Sequence, residues 1–430
     1  MLIRFEVANF RSILDAAELS MVAVDRDRAE VRPVPNLGES LLPVAAVFGP
    51  NASGKSNVIA ALTWLQTAVR DSLRFWDDEI PVEPFAFERE QRRPSNFTIE
   101  SVIAGVRFEY LVELDRHAVH YEGLFHYPER KRRRIFEREE DELTLQRGLG
   151  KLSGTRELLT PRTLALSIAR RFDEPLVSEF ARNLLAAQTL GLKSRGTRFS
   201  AFGRARPTLR WFEEPSDGDQ LALPQLDDLD GARRDNRKEA LALLQLADLG
   251  IDDVVIDEEE VSSSAADSEP GRPVTRRTVR LVHRTARERM PLDFAAESEG
   301  TRTWFRLIGP VLTALRSGSL LLFDELDANL HPTLSAELIR LFHDPATNRE
   351  GAQLVFTSHD TSLLNHLNRD EVWLTEKDED GATRLGALAE FAGEQVRRSQ
   401  NLEKAYLHGR FGALPDVDRT EMLRAFGLIG

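Results

Sequence analysis

Residues Gly49–Ser56 read Gly-Pro-Asn-Ala-Ser-Gly-Lys-Ser, a full match to the pattern G-x-x-x-x-G-K-[ST]. This pattern constrains the fold because it works only between a strand and a helix. Both are present: the apolar run Val44–Phe48 precedes it, and Val58, Leu62, Leu65 and Val69 follow at helical spacing. Such a loop wraps phosphate oxygens in backbone N–H groups, and the helix N-terminus behind it adds positive potential. Gly49, Pro50, Asn51, Ala52, Ser53, Gly54, Lys55, Ser56 and Asn57 are therefore predicted to cradle the phosphates of ATP. Lys55 would reach the β- and γ-phosphates, and the Ser56 hydroxyl would ligate Mg²⁺. The alternative, a glycine turn with a chance lysine, leaves the flanking strand and helix unexplained.

A second run has matching chemistry. Leu320–Phe323 is continuously apolar and ends in Asp324 and Glu325. Carboxylates cannot stay inside an apolar strand without partners, so they belong at its C-terminal end. In a parallel sheet that is the edge where ligands bind. Asp324 is assigned to the Mg²⁺ shell, and Glu325 to orienting or deprotonating the attacking water. A strand end with a helix-capping acid is the plainer alternative.

The 430 residues suffice for a large core and more than one domain. The chain has no cysteine, which excludes disulfides, zinc ribbons and thiol catalysis and fits a cytoplasmic location. The N-terminus alternates apolar and charged residues like a strand rather than a leader. No apolar run approaches the roughly twenty residues of a membrane span, so no membrane partner is expected. A net charge of −13 argues against a broad nucleic-acid surface. The densest basic run, Arg130–Arg134, lies between Glu129 and Glu137 and reads as a solvated face ahead of a phosphate contact.

Period-two alternation marks Leu2–Phe10, with Ile3, Phe5 and Val7 on one face, and Phe97–Ile103, Val106–Leu114 and Tyr121–Tyr127 as antiparallel strands. From Thr160 to Leu249 the pattern is helical, interrupted by a loop-like stretch Glu213–Asn236. Ile251–Val261 and Val274–His283 read as two strands separated by the loop Ser262–Pro273. Trp304, Ile308, Val311 and Leu315 form a helical face that Pro310 should kink. Leu354–Thr357 and Val372–Thr375 are further apolar strands between helices, which implies a parallel sheet covered on both faces. The division read from these patterns is 1–159 (phosphate loop and antiparallel strands), 160–249 (helical insertion) and 250–430 (acidic strand and its companions).

The long separation of Lys55 from Asp324 resembles the split heads of ABC-class ATPases, including structural-maintenance-of-chromosomes (SMC), RecF and overcoming-lysogenization-defect (OLD) proteins. Glu297-Ser298-Glu299-Gly300-Thr301 resembles a degenerate ABC signature that keeps Ser298 and Gly300. The resemblance implies that these two residues meet the γ-phosphate bound on a second subunit; by itself Ser-x-Gly before a helix is also an ordinary N-cap. Val355-Phe356-Thr357-Ser358-His359-Asp360 resembles the switch strand of such ATPases, which makes His359 the γ-phosphate sensor. Asn9-Phe10-Arg11-Ser12 is similar to the start of RecF-like heads and places Arg11 beside the nucleotide. His331 stands where relatives carry an aspartate, and reads as the cap of the helix begun by Pro332. Gln91 is the one candidate for a glutamine-loop residue.

The resemblance implies an α/β fold: an ABC-type (SMC/RecF-like) P-loop ATPase head with an antiparallel β-subdomain and a helical insertion. The run Tyr406–Pro415 and the Asp324–Pro332 motif are similar to bacterial AAA ATPases of the abortive-infection, phage-defence (Rlo-like) type. That similarity implies a homodimer or higher oligomer that hydrolyses ATP with Mg²⁺ and controls a protein effector such as a toprim-like nuclease. Asp378 to Asp380 read as part of a hairpin turn, so no nuclease is expected within this chain. Two other readings stay open: a RecF/SMC-like repair ATPase that engages DNA, and a scaffold that binds ATP with little turnover.

Overall fold

The run Val44–Phe48 is buried at every position and forms one of the inner strands of a six-stranded sheet, as an all-apolar strand requires. The computed structural model describes residues 1–87, 93–192, 207–213, 226–248, 250–261, 274–285, 287–328, 330–391 and 402–407. Across this sheet the strand order is Gln188–Leu190, Leu320–Phe323, Gln353–Thr357, Val44–Phe48, Val372–Lys377 and Thr383–Ala387. Neighbours pair in parallel except the last two, which form an antiparallel hairpin. Its turn has Gly381 at φ 75° with its N–H donated to the Asp378 carbonyl at 3.0 Å, as the Asp380-Gly381 pair predicts.

The alternating segments build a seven-stranded antiparallel sheet ordered Glu142–Leu145, Arg133–Glu139, Val119–Tyr127, Val106–Leu114, Ser95–Ile103, Leu2–Ala8 and Ala17–Ser20. One detail departs from strict alternation. The register shifts between Leu2 and Arg4, so Ile3 packs with Val34 and Leu41 while Phe5 and Val7 enter the main core. The helix Lys55–Phe75 buries Val58, Leu62, Leu65 and Val69 in a core that also holds Phe97 and Tyr110 of one sheet and Leu322 and Val355 of the other. Each such side chain contributes about 1.5–3 kcal/mol by leaving water, so this helix is anchored along its length.

The basic run is occupied by its own neighbours. Arg132 lies 3.6 Å from the Phe125 ring centroid and bonds Glu109 at 2.9 Å, Arg134 bonds Glu137, and Arg130 donates to the carbonyls of Pro35 and Asn36. Nearby, His120 bonds Glu140 and Asp115 through its two ring nitrogens. No group of three His, Cys, Asp or Glu suited to a metal occurs among the described residues. Among them, too, no helix is long and apolar enough to cross a membrane.

The chain divides into two compact units: Met1–Leu192 with Leu315–Asp327 and Ala336–Gly430, and Lys193–Ala314 with Ala328–Ser335. The first contains both sheets above. The second contains an antiparallel sheet of Ile251–Val261, Val274–Arg284 and Arg289–Asp293, the helix Leu226–Ala247, and most of the helix Glu299–Ser317. Within it, Trp304 donates its indole N–H to the Leu243 carbonyl at 2.6 Å, and Phe305 stacks on Phe212. The helix begun at Leu226 lies partly in a stretch whose composition reads as a loop, because acidic residues suit a helix N-terminus as well as a turn. The predicted loop 262–273, Gln91 and most of the run 406–415 lie outside the described residues.

Candidate functional site

The phosphate loop leaves the sheet at the C-terminal end of Val44–Phe48 and enters the helix at Lys55. Gly49 has φ 150° and Gly54 φ 105°. A Cβ on Gly49 would collide with the Thr375 carbonyl, and one on Gly54 with the Thr383 side chain, so only glycine fits either position. The helix has no side-chain cap and no acid in its first turn, which leaves its N-terminal N–H groups and dipole for an anion.

Hydroxyls from distant strands brace the loop. Ser53 Oγ lies 2.6 Å from Thr375 Oγ1, and Thr383 Oγ1 donates to the Ser53 carbonyl at 2.8 Å. Ser12 Oγ lies 2.8 Å from Thr383 Oγ1 and accepts from Asn57 Nδ2 at 2.6 Å. These contacts hold the loop from behind.

Lys55 is 5% exposed. Its ammonium donates to the carbonyls of Gly49 and Pro50, both at 2.8 Å. Burial holds its pKa down to about 8, against the attraction of Asp324, Asp327 and Glu325. A buried cation resting on two carbonyls, beside an uncapped helix end and two glycine-only positions, fits a phosphate chain. Ser56, one residue into the helix, is half-buried.

The acidic pair sits on the same rim. Phe323 pairs with Phe356, and Phe356 with Ala46, so three parallel strands end at one level. Asp324 is buried, and its Oδ1 accepts from Thr357 Oγ1 at 2.7 Å. The same hydroxyl accepts from Glu325 N–H at 2.8 Å. Glu325 has φ 55° and an exposed side chain, which turns its carboxylate away from the protein. Gly191 backs this turn: a Cβ there would strike the Asp324 carbonyl. His359 is exposed, and its N–H donates to Asp327 Oδ1 at 3.1 Å. Lys55, Asp324, Glu325 and His359 thus share the C-terminal edge of one sheet.

Arg11 is held differently. Its guanidinium bonds Glu83 at 3.0 Å and lies against the Phe10 ring, at a backbone φ of 53°. Asn9 is a buried staple: it donates to the Arg93 carbonyl and accepts from Phe85 N–H.

Ser298 and Gly300 belong to the second unit. Ser298 Oγ accepts from Thr301 N–H at 3.1 Å, which makes Ser298 an N-cap. Among the described residues Gly300 has no steric reason to be glycine, since there an added Cβ would meet only Ser298 Oγ at 3.9 Å. Glu299 is paired with Arg302 and lies 3.8 Å from Arg306. His331 Nδ1 accepts from Thr333 N–H at 3.3 Å, the capping role expected of it.

The bracing hydroxyls of Ser12 and Thr357 lie inside motifs that assign them no role, and Thr375 and Thr383 lie in none. Thr357 and Thr375 carried a signal, because each closes an apolar strand at the ligand edge. Thr383 carried none.

Two solved structures are similar in outline: an SMC head domain from Thermotoga maritima (TM-score 0.41, 12% identity, covering 90% of this chain and 98% of that one), and an Smc head with an extended coiled coil bound to the C-terminal domain of ScpA, derived from Pyrococcus furiosus (TM-score 0.40, 12% identity, 95% and 98%). No curated protein matches the chain. A family model described as "AAA domain, putative AbiEii toxin, Type IV TA system" matches residues 44–365, well over half of the 430, and the chain belongs to that AAA-domain family.

Proposed function

We propose that the protein is an ATP-hydrolysing head that closes head-to-tail with a second copy around two nucleotides. The observation that carries this reading is the shared sheet edge at which Lys55, Asp324, Glu325 and His359 lie. Gly49–Asn57 would hold the phosphate chain, with Lys55 neutralising the β- and γ-phosphates. Asp324, oriented by Thr357, and Ser56 would hold Mg²⁺, which supplies charge neutralisation at the phosphates when bound. Glu325 would take the proton of an attacking water, since its carboxylate is turned out of the protein. His359 would sense the terminal phosphate from the neighbouring strand end. Arg11, tied to Glu83, would reach nucleotide only by leaving that partner.

Ser298 and Gly300 would complete the site of the second copy. A glycine that no contact among the described residues requires supports close approach by a second copy. The arginines beside Glu299 offset the charge that would otherwise oppose a phosphate there. The family description names a toxin of a type IV toxin–antitoxin system, which favours a defence or toxin–antitoxin role; in that role nucleotide-driven closure would control an effector protein such as a toprim-like nuclease.

A second reading, engagement of DNA, draws on Arg70, Arg74, Arg170 and Arg171. Burial and then Arg171, Arg74 and Arg70 lower the Arg170 pKa, with Asp71 acting in the opposite direction. One experiment addresses both readings: turnover of the parent and of Glu325→Gln, with and without duplex DNA. The expected outcome is a drop of about 10²-fold or more in kcat with ATP affinity retained, and no DNA stimulation. Parental turnover in the variant would remove Glu325 from its role, and salt-sensitive stimulation by DNA would favour the second reading.

A further inference from the structure

The Ser298 loop is held from outside its own helix. Glu297, immediately before it, is 8% exposed, and its Oε1 accepts a hydrogen bond from His283 Nε2 at 2.7 Å. A carboxylate this deeply buried is costly without a partner, and His283 supplies one. The other ring nitrogen, Nδ1, faces Asp248 Oδ2 at 3.8 Å, beyond hydrogen-bond reach, while Asp248 Oδ1 accepts from Gly250 N–H at 2.8 Å. His283 lies on the central strand of the three-stranded sheet, paired with Ile251 on one side and Met290 on the other. Its backbone is therefore fixed independently of Glu297.

Neither neighbouring structure needs this bond. The sheet has its own backbone ladder, and the helix beginning at Glu299 is capped by Ser298 through Thr301. What the bond fixes is the short connection between them. Thr301 N–H donates to Ser298 Oγ and Thr301 Oγ1 lies 2.8 Å from the same oxygen, so the Ser298 hydroxyl is held against the first turn of its own helix while the connection before it is held by Glu297. A freed Glu297 would seek water at the same loop and bring negative charge to it.

We propose that His283 is a positioning residue: through Glu297 it holds Ser298 and Gly300 in the attitude that nucleotide on a second copy requires, and it ties that attitude to the three-stranded sheet. The inference rests on the composite-site reading above. Displacement of the sheet by a partner would then be felt at the loop one hydrogen bond away.

The test compares His283→Gln with His283→Asn in the full chain. The glutamine amide nitrogen takes the place of Nε2 and keeps the bond to Glu297, whereas asparagine reaches only as far as Nδ1. The expected result is kcat within about twofold of the parent for Gln, and a loss of about tenfold or more for Asn, with affinity for a fluorescent ATP analogue unchanged in both. Equal behaviour of the two variants, or an Asn variant that loses nucleotide affinity as much as kcat, would overturn the proposal. Hydrogen exchange of the amides of 298–301 reads the loop without activity: Asn should raise exchange about tenfold and Gln should not. If the parent itself neither turns over nor associates with ATP, the composite site is wrong, and equal exchange in the two variants would separately refute the positioning.

Discussion

Thr357 does the work of two contacts with one oxygen, donating to Asp324 and accepting from the Glu325 amide. Replacing it by valine, nearly the same shape, removes both and leaves a buried carboxylate oxygen without its donor. Such a loss costs about 1–3 kcal/mol. Thr357→Val should therefore weaken Mg²⁺-dependent ATP binding about tenfold or more in a titration, and Thr357→Ser should restore it. An unchanged Mg²⁺ requirement in the valine variant would show that Asp324 needs no such support. Lys55 gives a pH prediction. With its pKa held down to about 8 from an ordinary 10.5, the folded chain binds fewer protons than the unfolded one between these values. In that window stability from this group rises with pH, as the cost of a buried cation is relieved. Nucleotide phosphates favour the charged ammonium, so binding should take up a proton and weaken by as much as about tenfold per pH unit above 8. Calorimetry at pH 8.5 in two buffers of different ionisation enthalpy measures that proton, and identical heats would refute the coupling. The sequence made Lys55 legible through its motif. Its burial was not, because that depends on strands hundreds of residues away.

Elements were legible where the pattern was long or, as in a short strand, wholly apolar. The nine-residue strand Val106–Leu114 and the whole of Leu320–Phe323 appear with the bounds their alternation or apolarity marks. Gln188–Leu190, Arg289–Asp293 and Thr383–Ala387 do not, since three to five residues carry little periodicity and their pairing is decided by neighbours. The helix Glu299–Ser317 runs through Pro310, where the sequence predicts a kink. Pro310 has no N–H to offer the Arg306 carbonyl one turn back. Thr208, fully buried, fills the gap: its Oγ1 donates to that carbonyl at 3.2 Å and accepts from Gly309 N–H at 3.0 Å. Gly309 permits the approach, because a Cβ there would sit 2.5 Å from the Pro207 carbonyl carbon. Thr208→Val should lower stability by about 1–3 kcal/mol, seen as a reduced urea midpoint, and Thr208→Ser should recover most of it. A valine variant as stable as the parent would mean that the helix satisfies this carbonyl some other way.

At the scale of the whole molecule, the convergence of Lys55 with Asp324 and His359 could be read from strand chemistry, since continuous apolar strands in one parallel sheet all present their C-terminal ends to one edge. The interleaving of the units could not: the helix Glu299–Ser317 crosses from one to the other, and local pattern does not mark such a boundary. The division separates the proposed parts of the site, with Gly49–Asn57, Asp324 and Glu325 in one unit and Ser298 and Gly300 in the other. A head-to-tail dimer therefore allows two damaged chains to repair one another. Lys55→Ala destroys the phosphate loop but leaves Ser298 intact, and Ser298→Arg does the reverse. Each chain alone should lack turnover, because every site in its homodimer contains one damaged half. In an equal mixture half of the dimers are mixed, and each has one site built from two intact halves, so about a quarter of the parental turnover should return. Ser298→Arg active by itself would show that one copy suffices for hydrolysis. Two inactive chains that gain nothing on mixing would mean that Ser298 serves its own chain as a cap and does not reach a neighbour's nucleotide.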